Sequence, residues 1–96
     1  MFLKIHRSPR GDVVAACDRE LIGKRLTQDG VEIVISESFY GSTPASEEEV
    51  RRAMQDAGNV NLMGERVVRI AIEMELISEK GCIIFGGVPH AQIFRV

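Results

Sequence analysis

The sequence predicts an α+β domain: a small mixed or antiparallel sheet of about five strands with two helices packed on one face. Three observations carry that expectation. Alternating or short apolar runs over residues 2–7 and 12–17 flank Ser8-Pro9-Arg10-Gly11, where proline and glycine are placed to reverse the chain. Two segments in the middle repeat their apolar residues at helical spacing, one behind a capping signal. The last fifteen residues return to short apolar runs punctuated by Gly86-Gly87.

The opening segments read as a β-hairpin in which a turn at Pro9-Arg10 sets residue 7 opposite 12 and Cys17 opposite Phe2. Residues 18–23 read as a loop or single helical turn that Asp18 can cap and Gly23 can stop. After the Asp29-Gly30 turn, Val31, Ile33 and Ile35 mark a third strand with one solvated face. The first helix is signalled twice at its start, by Thr43-Pro44 and by the pairing of Ser46 with Glu49. Val50, Ala53, Met54 and Ala57 then form its apolar stripe, and Gly58 is placed to end it. Glu47, Glu48 and Glu49 lie where the helix dipole favours anions, so the triplet needs no functional role. A second helix is predicted from Asn59 or Asn61 to Leu76 or Ile77, with Val67, Ile70, Ala71, Met74 and Ile77 on one stripe. Gly64 within it costs about 1 kcal/mol relative to alanine, which points to a close backbone approach or a binding role. Residues 82–85 read as a buried strand and residues 92–96 as an alternating last one.

With 96 residues, 45% of them apolar, the chain reads as one domain over residues 1–96 whose core needs no metal or disulfide staple. No run of about 18 apolar residues occurs, so no membrane span is expected. The N-terminal residues lack the order of a signal peptide, and Cys17 and Cys82 read as buried thiols of a reducing cytoplasm. A single disulfide between them is the alternative. The net charge of −2 is unevenly spread: residues 1–25 carry +3 and residues 26–50 carry −6. Nine of the twelve basic residues are arginine, the side chain whose planar fork suits phosphate. Arg7, Arg10, Arg19, Lys24 and Arg25 are therefore the candidate nucleic-acid contacts, although the same residues also read as ordinary surface charge.

Gly86-Gly87-Val88-Pro89-His90-Ala91-Gln92 is the stretch hardest to explain as scaffold. Two glycines, a fixed φ and an imidazole suit a binding loop, and they equally suit a tight turn between strands. As a binding loop it would join Gly86, Gly87, Pro89 and His90 to Asn61, Glu65 and Arg69 at the start of the second helix, where free amides can hold an anion. His90 is the candidate acid or base of any chemistry there, alone or as the partner of a Cys82 nucleophile. His6, Cys17, Cys82 and His90 contain no paired ligand spacing, so no metal is assigned. Neither a phosphate-binding loop, a zinc-protease helix nor a nucleophile elbow is present, and no cofactor is expected.

The pieces Cys17-Asp18-Arg19-Glu20-Leu21-Ile22-Gly23-Lys24, residues 36–42, residues 61–73 and residues 86–92, in this order and spacing, resemble the small archaeal proteins grouped as domain-of-unknown-function family 424. The likeness runs over about residues 3–92. It implies an archaeal cytoplasmic protein and, through a loose association of the family with translation genes, partners of RNA or ribosomal type. It transfers no catalytic residue.

Three classes of function follow from this reading. The first is a non-catalytic module binding RNA or a ribonucleoprotein. The second is a small enzyme, or an anion- or nucleotide-binding protein, built on residues 86–92. The third is a structural homo-oligomer, a homodimer in its simplest form, that pairs the open edge of its last strand.

Overall fold

The computed structural model describes residues 1–95. Its strands are β1 (Phe2–His6), β2 (Val13–Cys17), β3 (Arg25–Gln28), β4 (Val31–Val34), β5 (Asn59–Met63), β6 (Ile83–Phe85) and β7 (Val88–Phe94). Its helices are α1 (Glu37–Tyr40), α2 (Glu47–Gln55) and α3 (Glu65–Glu73), with single 3₁₀ turns at Arg19–Leu21 and Glu79–Gly81. Five strands form a mixed sheet in the order β1-β2-β5-β7-β6, while β3 and β4 form a hairpin of their own. Every neighbouring pair is antiparallel except β2 and β5.

Strand alternation divides the core into two layers. Val14 and Ala16, Val60 and Leu62, Ala91 and Ile93 turn to one face, where α2 and α3 bring Val50, Met54, Val67, Val68, Ile70 and Ala71 against them. Ala15, Cys17 and Met63 turn to the other, under Leu26 and Ile35 of the hairpin region and Tyr40 of α1. The sheet with two helices on one face is as predicted; the separate hairpin covering the opposite face was not foreseen.

The first hairpin has the expected register, with Phe2 opposite Cys17 and His6 opposite Val13. Asp29 and Gly30 both have positive φ and join β3 to β4 by a two-residue loop. Ser46 caps α2 through a complete capping box with Glu49. Pro44 is not the first helical residue, because it bridges to Phe2 and covers part of the outer edge of β1.

Four expectations are corrected. Asn59–Met63 is not the start of a helix but the central strand β5, since Val60 and Leu62 alternate toward the helices while Asn61 and Met63 face the hairpin. The second helix starts only at Glu65 and stops at Met74, because Glu75 adopts φ 60° and Leu76 N–H closes the end on Ala71. Val88–Phe94 is a strand rather than a loop, and only Gly86 and Gly87 form the turn. Finally β6 is an exposed edge, with Ile83 and Ile84 both more than half exposed, and it covers only residues 88–90 of β7.

The joint between β5 and α3 is a single residue, Gly64, at φ 122°. A Cβ there would lie 2.4 Å from Cγ of Asp18, so only glycine fits. Asp18 is buried at the end of β2, and its carboxylate accepts the backbone N–H groups of Arg66 and Val67 at 3.0 and 3.1 Å. It therefore caps α3, not the 3₁₀ turn that follows it. Gly64→Ala is expected to lower unfolding free energy by more than about 2 kcal/mol, and Asp18→Ala by about 2–4 kcal/mol, both read from urea midpoints.

At α2 the backbone N–H of Ser46 holds the Glu49 carboxyl below its usual range. A depressed folded value stabilises above the ordinary carboxylate pKa and is lost as pH falls through the folded one. Thermal melts from pH 6 down to pH 3 are expected to lose this contribution in the native protein, and Glu49→Gln to reduce that slope.

Candidate nucleic-acid interface

The predicted ligand residues do not all meet: Glu65, Arg69 and Pro89 share one groove, while Gly86, Gly87, His90 and Asn61 lie elsewhere. Because successive residues of a strand point to opposite faces, Pro89 faces the helices while His90 faces the hairpin side. Glu65, Arg69 and Pro89 line a groove of about 320 Å³ between α3 and β6, together with Val68, Ile72, Cys82 and Ile84. Arg69 donates to Glu65 at 2.9 Å along its rim, leaving a largely apolar floor. Asn61 lies on the other face, where its Oδ1 accepts from Tyr40 Oη–H at 2.6 Å. Gly86 and Gly87 are the hairpin tip between β6 and β7, with φ 55° and 83°. The Gly86 amide donates to Gln28 Oε1 at 2.9 Å, and a Cβ at Gly87 would point into open space among the described residues.

The reactive side chains are each held by the fold. His90 Nδ1–H donates to Leu62 O at 2.7 Å, and His6 Nε2–H donates to Phe39 O at 2.7 Å while its ring stacks on Phe39. Cys17 is buried in the hairpin-side layer, where desolvation pushes its thiol up to about 12. Cys82 is half-buried on the helix side, raised by desolvation, and donates to Ser78 O. Both are free thiols on opposite faces of the sheet, and Cys82 is likewise separated from His90, so no disulfide or Cys-His dyad forms. Among the described residues no three His, Cys, Asp or Glu side chains converge as metal ligands.

The basic residues fall into two groups at opposite ends of β2, separated by a strand about 17 Å long. At one end, Arg7 pairs with Asp12 at 2.6 Å across the base of the β1–β2 hairpin, and Arg10 stands at its tip. At the other end lie Arg19, Lys24 and Arg25, with Arg25 paired to Glu32 at 2.7 Å. Among the described residues, Arg10, Arg19 and Lys24 have no acidic partner.

Beside Arg10 the structure brings together residues that the sequence did not group into one site. A groove of about 380 Å³ runs from the hairpin tip to the end of β7, lined by Ser8, Arg10, Asp12, Asn59, Phe94 and Arg95 among others. Asn59 and Phe94 are direct partners across β5 and β7 and therefore share a face. Phe94 is 67% exposed, and the buried Oδ1 of Asn59 has no hydrogen-bond partner among the described residues. The signal was the alternation of residues 92–96; the register that brings Phe94 to Asn59 required the fold.

A sheet closed on one face by helices and half-open on the other, with cations at both ends of its second strand, defines a small α+β domain. The chain belongs to the family described as "Protein of unknown function (DUF424)", whose model matches residues 6–96. It is similar to the crystal structure of an uncharacterized conserved protein from Methanopyrus kandleri, an archaeon, with 29% identity and a TM-score of 0.81 over 99% of this chain and 93% of that one. No curated protein matches the sequence. No helix of the described residues is long and apolar enough to cross a membrane.

Thiol labelling checks the assignment of the cysteines. In native protein at pH 8 a maleimide is expected to modify Cys82 slowly and Cys17 only after unfolding, because the thiolate is the reactive form. Rapid labelling of Cys17 in the folded state would contradict its burial.

Proposed function

We propose that the protein is a non-catalytic cytoplasmic module that binds RNA, alone or within a ribonucleoprotein, through the cations at the two ends of β2. The observation that supports this reading is which of the cations at the ends of β2 the acidic residues leave free. Arg7, Arg25, Arg51, Arg52, Arg66 and Arg69 each face a carboxylate, and Arg95 is spent on the carbonyls of Met54 and Gln55. Arg10, Arg19 and Lys24, all among the residues expected to contact nucleic acid, keep their donors for an external anion. In a chain of net charge −2, local cations of this kind give phosphate a place to bind without general affinity for polyanions. Binding rather than catalysis is favoured because His6, His90, Cys17 and Cys82 are each occupied or shielded by the fold.

The test is a salt titration of RNA binding by fluorescence anisotropy. Three phosphate contacts predict a slope of about −2 to −3 in log Kobs against log salt, and each of Arg10→Ala, Arg19→Ala and Lys24→Ala should reduce it by about 0.7–0.9. Absence of RNA binding at low salt would overturn the proposal.

A further inference from the structure

We infer that the groove at the tip of the β1–β2 hairpin is a site for one unpaired nucleotide of an RNA strand, its base stacked on Phe94 and hydrogen-bonded by Asn59, its phosphate held by Arg10. The inference rests on the RNA-binding reading and names the form of RNA that the site takes.

The groove joins three different chemistries within one short stretch of surface. Phe94 presents an apolar ring, two-thirds exposed, on a sheet face where other aromatics are covered. Phe39 stacks on His6 at 4.9 Å and meets Tyr40 edge-on, and Tyr40 is buried. An aromatic left open on a strand, with Gln92 next along the same face, offers a flat platform for a π-face. The side chain directly opposite is an amide. Asn59 Oδ1 is shielded from solvent with no partner among the described residues, a state that costs free energy and is relieved when the Asn59 side chain turns toward the groove to meet a donor. The edge of a nucleobase supplies an N–H beside an acceptor, the complement of a carboxamide. A base inside a duplex has that edge paired and both faces stacked, so only an unpaired one can use ring and amide together.

The charges around the groove favour the phosphate end at Arg10. Asp12 is neutralised by Arg7, and Arg95 donates to Gln55 O and Met54 O at 2.6 and 3.1 Å, which fixes it as part of the wall. Arg10 makes no ion pair among the described residues and stands on a turn closed by Gly11 N–H to Ser8 O at 3.1 Å. Beyond the stretch paired with β6, residues 91–94 of β7 have no outer neighbour among the described residues, so a strand of RNA can approach Phe94 from the side.

The experiment compares a labelled 12-nucleotide single-stranded RNA with the same sequence as a blunt duplex, using the full chain and the variants Phe94→Ala, Phe94→Tyr, Asn59→Ala and Arg19→Ala. Thermal melts accompany each variant, and Phe94→Tyr keeps the ring should alanine disturb β7. Phe94→Ala is expected to weaken single-strand binding roughly 5- to 100-fold, the range of lost base stacking, and to leave duplex binding within two-fold. Phe94→Tyr should restore single-strand binding, Asn59→Ala should weaken it several-fold, and Arg19→Ala should weaken both RNAs alike. Single-strand binding within two-fold of the unmodified protein in Phe94→Ala, while Arg19→Ala still weakens it, overturns the base site and leaves the RNA-binding reading standing. No binding of either RNA by the unmodified protein overturns both. Adenosine monophosphate competing as well as the 12-mer overturns the strand as ligand, because a free nucleotide would then be sufficient.

Discussion

The contact between the Asp18 carboxylate and the first turn of α3 is the constraint on which the rest of the structure depends. It joins the end of β2 to a helix whose own preceding residue, Gly64, has no side chain with which to cap it. The charge sits against the positive end of a nine-residue helix and satisfies two donors that would otherwise be orphaned. Around it the backbone is tied on both sides: Asp18 N–H bonds to Met63 O at 3.0 Å and Gly64 N–H to Pro89 O at 2.8 Å. Three central strands and the main helix thus end at one point. That point also sets the angle at which α3 lies over Val60, Leu62 and Ala91.

The sequence made the local elements readable and the long-range ones obscure. Asp29-Gly30 and the Ser46–Glu49 capping box carry their geometry in adjacent residues, and both stand as expected. The segment from residue 59 to 73 was misread because its apolar residues satisfy both periods: 60 and 62 alternate as a strand, and 67, 70 and 71 repeat as a helix. The change of period falls on Gly64, whose need for positive φ was visible only as a cost. The residues around His90 misled for a related reason, since proline and histidine resemble a loop when the pairing strand is unseen. Of the residues proposed to contact RNA, the cations were legible by type. Their division between two ends of β2, and the meeting of Asn59 with Phe94, depend on a register that no local pattern encodes.

The two faces of the sheet have different physical characters. The helix face is filled by aliphatic side chains with almost no exposure, so its substitutions act on packing. The opposite face is covered by α1 and the β3–β4 hairpin over β1, β2 and the ends of β5 and β7. Toward the hairpin tip it is left with Asn59, Gln92 and Phe94, half-buried or open. A surface of this kind accommodates side-chain changes without loss of core, which is what a recognition surface on a rigid scaffold requires.

The parallel pairing of β2 with β5 also determines when the molecule can form. Asp18 and its partners on α3 are 48 and 49 residues apart in sequence, and the paired residues of β2 and β5 are nearly as far apart. The β1–β2 hairpin closes quickly because its turn is short, but its inner edge then has no partner until β5 has been synthesised. At ribosomal elongation rates of about 5–20 residues per second, that edge is exposed for several seconds in each round of synthesis. The small alanines of β2, Ala15 and Ala16, give this waiting strand little apolar surface by which to pair with the wrong neighbour.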